Sequence, residues 1–419
     1  MKEKFFRRVI RFRIPISILF LAASLCCAIA SQQVKVNYDM NDYLPAESLS
    51  TISLDKMKEE FEGDIPNARV AIKNVTYAQA LDYKKKLEKI SGVDSVTWLD
   101  DSNPLDLPLS MLDEDTITTY YKDNTALYTV TINEDAINDA VPAIRSLIGE
   151  DNAMTGSAVS TAAATKSTVS EIRKISGFAI VIVLLVLILT TTSWLEPFIV
   201  LFGIGIAVII NSGTNLMFGE ISFVTNAAGS ILQLAVSLDY SVFLIHRFQE
   251  CRTQYDDPKT AMNQALCKSC SSILSSGLTT VIGFLALLFM RFQIGPDLGR
   301  ALAKGIAISL ITVFVFMPGV ILLSYRLMDR LSHREFLPSF RRFGKLVSKI
   351  TLPLACIFCL IMVPAYYFSN QNSYYYGASH IFSAGTQYGD DTAYIESTFG
   401  IKDSYVMMIP NGSDQTERA

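Results

Sequence analysis

The sequence has little of what enzymes use to build reaction or metal sites. It contains 3 histidines, and charged residues make up 18% of its 419 positions. Residues 32–176 include no cysteine, no glycine-rich phosphate loop and no nucleophile–base pair, so this segment folds without disulfides. Two CxxC pairs, which begin at Cys267 and Cys356, lack nearby histidines, and this favours a structural role over metal binding. We therefore predict no enzyme, no cofactor, no metal site and no nucleic-acid partner.

Long apolar runs are abundant, since half of the residues are hydrophobic. Runs that approach the roughly 20 residues needed to cross a bilayer predict seven transmembrane helices. They cover residues 14–30, 177–192, 198–218, 221–245, 273–290, 302–325 and 352–368. The second run is short, and we expect its helix to continue outward through polar residues. The fold class is thus a polytopic α-helical membrane protein.

Basic residues cluster on one side of this topology, at residues 2–13, 247–268 and 326–349. The positive-inside rule makes that side cytoplasmic and predicts a multi-pass protein of the cell membrane with a cytoplasmic N-terminus. A cleaved signal peptide is the alternative for the first run, but its apolar core is longer than usual for one. Lys304 and Arg300, near the outer end of the sixth run, are expected to snorkel towards the interface.

The polar segment 32–175 is predicted to be an extracytoplasmic α+β domain. Alternation indicates strands at residues 68–73, 93–99, 126–132 and 153–155, and helical spacing indicates helices at 77–90 and 135–148. A linker over residues 102–112 separates the two strand–helix–strand units, which is the order of a split βαβ, ferredoxin-like domain. Its surplus of acidic residues indicates a solvated face, and a Ca²⁺ site is the less favoured alternative.

An internal repeat is indicated near residue 340. Phe6-Arg7-Arg8 before the first run is echoed by Phe340-Arg341-Arg342 before the seventh, and residues 61–72 are echoed by residues 399–409. The chain therefore resembles one half of a duplicated protein plus the opening of the second. We predict an N-terminal segment and first helix at 1–31, the α+β domain at 32–175, helices 2–6 at 176–325, a cytoplasmic basic linker at 326–350, the seventh helix at 351–368 and a second extracytoplasmic domain from 369 to 419.

Asp239 is the most informative residue, because it lies inside the fourth apolar run. A carboxylate there costs about 2.5–3.5 kcal/mol on insertion scales and usually has a function. It is expected about 10 Å from the cytoplasmic end of its helix, at 1.5 Å per residue. Hydrocarbon favours its neutral form, so a proton can bind and leave as water access changes. An ion pair that fixes helix register is the alternative, but no Lys or Arg lies at matching depth.

Several neighbours are candidate accessories to Asp239. Tyr240 supplies a hydroxyl, which must reach another helix because adjacent residues point in different directions. His246, seven residues on, shares the face of Asp239 and is either a proton relay or an ordinary interfacial histidine. Hydroxyl groups of the fifth run lie at comparable depth and either solvate a proton or pack helices; these are Ser276, Thr279 and Thr280.

The run SLDYSVFLIHRFQE, residues 237–250, resembles the fourth-helix signature of the resistance–nodulation–division superfamily, in the branch named for the mycobacterial membrane protein large transporters. SGLTT at 276–280, FMP at 316–318 and the layout of one helix, a large outer domain and five helices are similar too. The resemblance implies porter-type outer domains, with Asp239 as proton acceptor and Tyr240 as its hydrogen-bonding companion. It also implies a partner half-site in a C-terminal half that this sequence lacks.

The prediction is a proton-driven exporter of lipidic or hydrophobic molecules, with membrane lipids, the hydrophobic substrate and protons as partners. A homo-oligomer is left open. The alternatives are a receptor or scaffold of sterol-sensing-like layout and a protein-translocation accessory that uses the same proton chemistry.

Overall fold

The computed structural model of this chain describes residues 2–38, 41–60, 65–102, 113–334, 336, 341–372 and 385–400. The chain divides into two compact units. The first, here the helical unit, comprises Met1–Pro45 and Thr168–Ser373, and the second, the α+β unit, comprises Ala46–Ser167 and Tyr374–Ala419.

Helices dominate the described residues. In chain order they are α1 (Lys2–Arg11), α2 (Arg13–Ala30), α3 (Leu49–Glu60), α4 (Tyr77–Leu87), α5 (Glu114–Tyr120), α6 (Ile137–Ile148), α7 (Ser157–Thr190), α8 (Glu196–Thr214), α9 (Phe223–Arg252), α10 (Pro258–Ala286), α11 (Ile294–Ile311), α12 (Met317–Arg330), α13 (Arg341–Ser369) and α14 (Gln387–Phe399). The strands are β1 (Lys35–Asn37), β2 (Ala68–Ile72), β3 (Val93–Thr97), β4 (Tyr121–Lys122), β5 (Thr125–Ile132), β6 (Ala153–Thr155) and β7 (Glu220–Ser222).

Seven helical stretches of the described chain are long and apolar enough to cross a membrane, as predicted. They are Arg13–Gln33, Ser157–Thr190, Glu196–Phe218, Phe223–Arg252, Pro258–Phe289, Ile294–Arg330 and Leu346–Ser369. Most run further than the apolar runs, because helices continue through polar residues until a cap ends them. The predicted basic linker 326–350 is accordingly partly helical, since α12 reaches Arg330 and α13 begins at Arg341.

The start of the fourth stretch also differs from the prediction. Ile221 belongs to β7, and α9 begins after Ser222, whose hydroxyl accepts the Thr225 N–H at 3.0 Å. That side-chain cap satisfies one of the free N–H groups of the first turn. β7 pairs in parallel with β1, which follows α2.

The core of the helical unit lies among α8, α9, α10, α11 and α12. Helix α2 approaches α8 closely at Gly213, where an added Cβ would lie 2.2 Å from the carbonyl oxygen of Cys27. Small residues permit such close helix contacts in membranes. Helix α13 is almost entirely exposed, so its apolar surface needs lipid or further protein.

The sixth stretch is irregular in its middle. A π-helical turn, Thr312–Phe316, joins α11 to α12 just before Pro318. Proline lacks an N–H and cannot complete the regular ladder, so the wider turn accommodates the interruption. Membrane helices tolerate such a proline where the surrounding packing re-satisfies the freed backbone groups.

The two ends of the helical unit are closed by different contacts, and α1 with its basic residues lies at one of them. At one end, here the basic end, α1 packs through Phe6 and Ile10 against the core, and Arg252 makes a two-pronged ion pair with Asp329 at 2.6 and 2.7 Å. At the other end, here the far end, β1 pairs with β7, and the Gln293 N–H donates to the Tyr43 carbonyl at 2.9 Å.

The α+β unit contains a sheet of strand order β3-β5-β2-β6, with all pairs antiparallel and β4 paired to β5. The chain runs β2–α4–β3 and, further on, β5–α6–β6, so every predicted strand and helix of this segment is present with ends shifted by a few residues. Helices α4 and α6 cover one face and enclose a core that includes Trp98 and Tyr128. The linker residues 103–112 lie outside the described residues.

Helix α14 packs on β6 in the same unit. Ile395 joins a small core with Ala71, Leu127 and Ala153, and Asp391 pairs with Arg145 and accepts the Met154 N–H at 3.1 Å. The predicted second extracytoplasmic domain, residues 369–419, includes α14. The second echo of the predicted repeat, at residues 406–409, lies outside the described residues.

Candidate functional site

Helix α9 presents polar side chains on two different faces. Gln233 and Ser237, four residues apart, are fully buried among the helices. Asp239 and His246, seven residues apart, are exposed on the surface of the helical unit. Positions three, four and seven apart share a helix face, whereas Ser237 and Asp239 point in nearly opposite directions.

Asp239 has no hydrogen-bonding or ionic partner among the described residues. Tyr240 is only 4% exposed and packs into the core of the helical unit, so the two members of the predicted pair lie on different sides of α9.

The predicted accessories on α10 are brought to its surface. Ser276 and Thr279 are exposed and Thr280 is half-buried. The Thr279 hydroxyl donates to the Ser275 carbonyl at 2.8 Å, and that of Thr280 donates to the Ser276 carbonyl at 3.0 Å. These threonines therefore bond to their own helix, and none bonds to Asp239 in the part of the chain that the structure describes.

A buried chain of hydrogen bonds, here the polar ladder, crosses from α8 through α9 to α11. Asn211 Nδ2 donates to Gln233 Oε1 at 2.9 Å, and Gln233 Nε2 donates to the Gly305 carbonyl and to Ser309 Oγ at 3.0 and 3.1 Å. Ser237 Oγ donates to Ser309 Oγ at 2.7 Å. Each such interhelical bond in a membrane contributes about 0.6–2 kcal/mol.

Close helix packing makes the polar ladder feasible. A Cβ at Gly305 would lie 2.7 Å from Asn211 Nδ2 and 3.2 Å from Gln233 Cδ. Only glycine leaves room there for two amide side chains between α8, α9 and α11. The ladder was not predicted because its members are uncharged and do not stand out in the apolar runs as Asp239 does, although an amide inside a membrane helix is the same kind of signal.

The prediction that Lys304 snorkels outward is wrong. Its ammonium group turns into the helical unit and donates to the Asn211 carbonyl, Thr214 Oγ1 and Asn215 Oδ1 at 3.0, 2.9 and 2.7 Å. It also lies 4.9 Å from the ring centre of Phe218. The last carbonyls of α8 lack intrahelical partners and carry the negative end of the helix dipole, and this attracts the cation inward.

Asp297, on α11 like Lys304, contacts the start of a helix where Lys304 contacts the end of one. Its Oδ2 accepts the Ser222 N–H at 2.8 Å and the Thr225 hydroxyl at 2.5 Å. It is 6% exposed and caps the first turn of α9, where a negative charge is favourable. Lys304 thus stabilises the last turn of α8, and Asp297 stabilises the first turn of α9.

The basic end contains another buried carboxylate, Glu196. Its oxygens accept from the Thr192 backbone and hydroxyl at 3.4 Å and from the Gln249 amide of α9. The backbone N–H of His333 donates to the Thr192 carbonyl at 2.8 Å, and the His333 ring lies 4.8 Å from that of Trp194. These contacts connect the turn between α7 and α8 to α9 and to the segment after α12.

All seven cysteines are unpaired. No group of three or more metal-binding side chains occurs within the described ranges. The features that remain are a bundle of membrane-length helices, a buried polar ladder and a carboxylate exposed on one of those helices. They define a polytopic membrane protein with ionisable groups inside its spans.

Comparison with known proteins specifies the class further. The model of the MMPL family matches residues 42–351, and the chain belongs to this family, the branch of the resistance–nodulation–division superfamily to which the Asp-Tyr signature pointed. The resemblance inferred from residues 237–250 is therefore confirmed.

Individual relatives match over shorter stretches. A putative membrane protein of Methanocaldococcus jannaschii is 28% identical over 34% of this chain and 37% of its own length. The probable transport protein MmpL12 of Mycobacterium tuberculosis is 28% identical over 37% of this chain and 14% of its own length. The probable transport protein MmpL2 of the same species is 24% identical over 56% and 26%. The chain thus covers at most 37% of the length of these relatives.

Proposed function

We propose that this chain is part of a proton-driven transporter that exports lipidic or hydrophobic molecules, and that Asp239 carries the proton. The observation that carries this proposal is a carboxylate on the exposed face of a membrane-length helix, without a partner in the described chain. Two matched relatives are named probable transport proteins, which supports the transport class.

The energetic argument begins with solvation. A charged carboxylate against lipid is costly, so such groups face protein or a water-filled path. If water reaches Asp239 alternately from the two sides, the side chain binds a proton on one side and releases it on the other. Moving one charge through the membrane field couples about 2.3 kcal/mol per 100 mV to the cycle.

The neighbouring residues have supporting roles in this scheme. Exposed hydroxyl-bearing side chains of α10 and the exposed His246 lie on the surface of the same unit, where they can line a hydrated path. Tyr240, the neighbour of Asp239 in the sequence, is buried in the core of the helical unit and packs against the other helices. A further half with matching helices, or a second copy, would supply the surface that faces Asp239.

The α+β unit is proposed as an extracytoplasmic porter domain. Its strand–helix–strand units and antiparallel strand order support this proposal, because a split βαβ, ferredoxin-like domain is built from units of that kind. The positive-inside rule assigns the basic end to the cytoplasm and the N-terminus with it. Movements of the helices that accompany proton binding would then be transmitted to outer domains that pass the substrate outward.

The test is made in energised cells with the full-length protein, and it compares the Asp239→Asn variant with the unaltered protein. Efflux of the lipophilic dye Nile red should fall at least tenfold in this variant, because asparagine cannot carry a proton, and Asp239→Glu should retain part of it. A protonophore should abolish the efflux of the unaltered protein.

The matched control is Asp257→Asn, which also replaces a carboxylate by an amide. Asp257 caps α10 through the Lys259 and Thr260 N–H groups, and asparagine caps a helix equally well. Normal efflux in Asp239→Asn would refute proton coupling through this residue. A secretion defect with normal efflux would point to a translocation accessory instead.

A further inference from the structure

Glu196 is a buried titratable residue that the proton scheme does not use. It is 1% exposed and occupies the first position of α8. The hydrogen bonds that it accepts in the described chain come from uncharged donors, namely the Thr192 backbone N–H, the Thr192 hydroxyl and the Gln249 amide. A carboxylate that is buried without a cation is costly when it is ionised, and a bound proton removes this cost.

The turn between α7 and α8, residues 191–195 and here the clasp turn, is held between two helices. On one side, Gln249 of α9 donates to the Thr192 hydroxyl at 3.0 Å as well as to Glu196. On the other side, Ser193 Oγ donates to the Met328 carbonyl of α12 at 2.8 Å. The clasp turn therefore anchors the end of α9 to the end of α12.

Gln249 and Asp239 lie on the same unbroken helix, α9. Ten positions separate them, which is about 15 Å at 1.5 Å per residue. A contact that fixes the end of α9 therefore also fixes the place of Asp239. Hydrogen bonds to an ionised acceptor are roughly twice as strong as neutral ones, so the hold on α9 weakens when Glu196 takes up a proton.

His333 is the titratable group that faces Glu196 from the segment after α12. Its Nδ1 lies 2.9 Å from the Arg334 carbonyl, which only accepts, so Nδ1 carries a proton. Its Nε2 is buried without a partner in the described chain, and a proton there would favour the ionised form of Glu196. Other charged groups at the ends of α9 and α12 pair with one another, namely Arg247 with Glu250 and Arg252 with Asp329.

We propose that Glu196 binds and releases a proton at the basic end, and that its ionised form positions α9 for the proton transport carried out by Asp239. A proton on Oε2 displaces the Thr192 N–H, and Gln249 then donates to a neutral carboxyl group at Oε1. The clasp turn loosens, and α9 gains freedom to move. This inference rests on the proton coupling proposed above, but the hold on α9 is measurable without transport.

The experiment measures amide hydrogen exchange at the end of α9, residues 246–252, in the full-length protein in phosphatidylcholine nanodiscs. Protection is the exchange rate of the unfolded chain divided by the measured rate at the same pH. The unaltered protein should lose about tenfold protection as pH falls from about 8 to about 5, because charge-assisted hydrogen bonds become neutral ones. Glu196→Gln, which keeps the size of the side chain, should show the lower protection at both pH values.

Glu250→Gln is the matched control, because it makes the same substitution at an exposed position of α9; it should retain the pH dependence. Gln249→Met, which removes the donor on α9, should reproduce the loss of protection if Glu196→Gln does not fold. Persistence of the pH dependence in Glu196→Gln would overturn the proposal. Its loss in His333→Gln alone would place the proton on His333 and overturn the proposal as well.

Transport separates this role from a purely structural one. The maximal rate of Nile red efflux should fall in Glu196→Gln, while the dye concentration that gives half-maximal efflux stays the same, because Glu196 positions α9 and does not contact the substrate. Equal maximal rates would overturn the positioning role. Asp239→Asn should retain the pH-dependent protection, so a failure of proton coupling and a failure of this proposal give different results.

Discussion

Gln233 and Asp239 are six residues apart on α9 and have opposite surroundings. Gln233 is fully buried, and both its amide oxygen and its amide nitrogen are bonded. Asp239 is exposed and has no partner in the described chain. A buried polar group without partners is costly, so satisfied residues of this kind hold helices together. An exposed carboxylate without a partner in the described chain remains available for chemistry. At the scale of the residue, α9 therefore combines a structural face with a candidate functional face.

The polar ladder can be tested through Gly305. In Gly305→Ala the added Cβ would press on Asn211 and Gln233, and overpacking of this kind costs about 1–3 kcal/mol. We expect a lower melting temperature of the detergent-solubilised protein. The measurement is the loss of its monodisperse chromatographic peak after heating. Gly205→Ala on α8 is the control, because a Cβ there meets nothing within 4 Å. Equal melting of the two variants would mean that the ladder adds no stability.

Helix α4 is held by both of its ends. Thr76 and Gln79 form a reciprocal capping box at its start. Near its last turn the Lys84 ammonium, 6% exposed, bonds to Asp100 and Asp101 at 2.9 and 2.6 Å. Burial lowers the pKa of Lys84, but hydrogen bonds to Asp101 and Asp100 outweigh it and leave the pKa above its usual value. At the scale of the element, this ion cluster fastens α4 to the turn after β3.

Lys84→Met should destabilise the α+β unit by about 1.5–3 kcal/mol at pH 7, because it removes hydrogen bonds to charged groups. The folded pKa is the higher one, so the contribution is complete below about pH 10.4, the usual lysine value, and is lost as pH rises through the folded pKa. The difference between variant and unaltered protein should therefore stay constant from pH 7 to about 9.5 and shrink only above that range.

The measurement uses Trp98, which is buried in this unit. The sequence has 2 tryptophans, so Trp194→Phe leaves Trp98 as the sole emitter, and thermal unfolding of the unit follows from its fluorescence. Lys85→Met is the control, because Lys85 is the exposed neighbour on the same helix. If both variants melt alike, the cluster around Lys84 contributes nothing.

At the scale of the whole molecule, the surfaces that remain uncovered are informative. Helix α13 exposes nearly all of its described side chains, and the face of α9 that bears Asp239 is open. Lipid satisfies an apolar helix such as α13, but it does not satisfy a carboxylate. We therefore expect further membrane helices to cover α9 at Asp239.

A photoreactive benzoylphenylalanine in place of Phe243 tests this expectation, because Phe243 is 39% exposed and lies one turn from Asp239. It should cross-link to protein in the full-length molecule. The same group in place of Phe178 on α7, 71% exposed, should react with lipid. A cross-linked product that migrates differently on a gel but keeps the mass of one chain would identify a further half of the same chain. A product of twice that mass would identify a second copy. Reaction with lipid alone at Phe243 would contradict the expectation.

The sequence predicted the repeating local patterns well. Seven membrane-length helices, the strands and helices of the α+β unit and membership of the MMPL family all followed from apolar runs, alternation and the Asp-Tyr signature. Helix ends were less accurate, as at Ile221 and Arg341, because caps and polar extensions lie outside the apolar runs. The placement of α14 on β6 and the inward turn of Lys304 were missed, because they depend on contacts between distant parts of the chain.

What the sequence alone determined is which segments meet the membrane, since the hydrophobic effect acts on runs of neighbouring residues. It also singled out Asp239, because a charge stands out against an apolar run. Only the tertiary structure decided which polar groups find partners. Asn211, Gln233 and Ser309 come from three helices and meet because Gly305 lets those helices approach. Hydrogen bonds depend on distance and direction in space, and no local pattern along the chain specifies either.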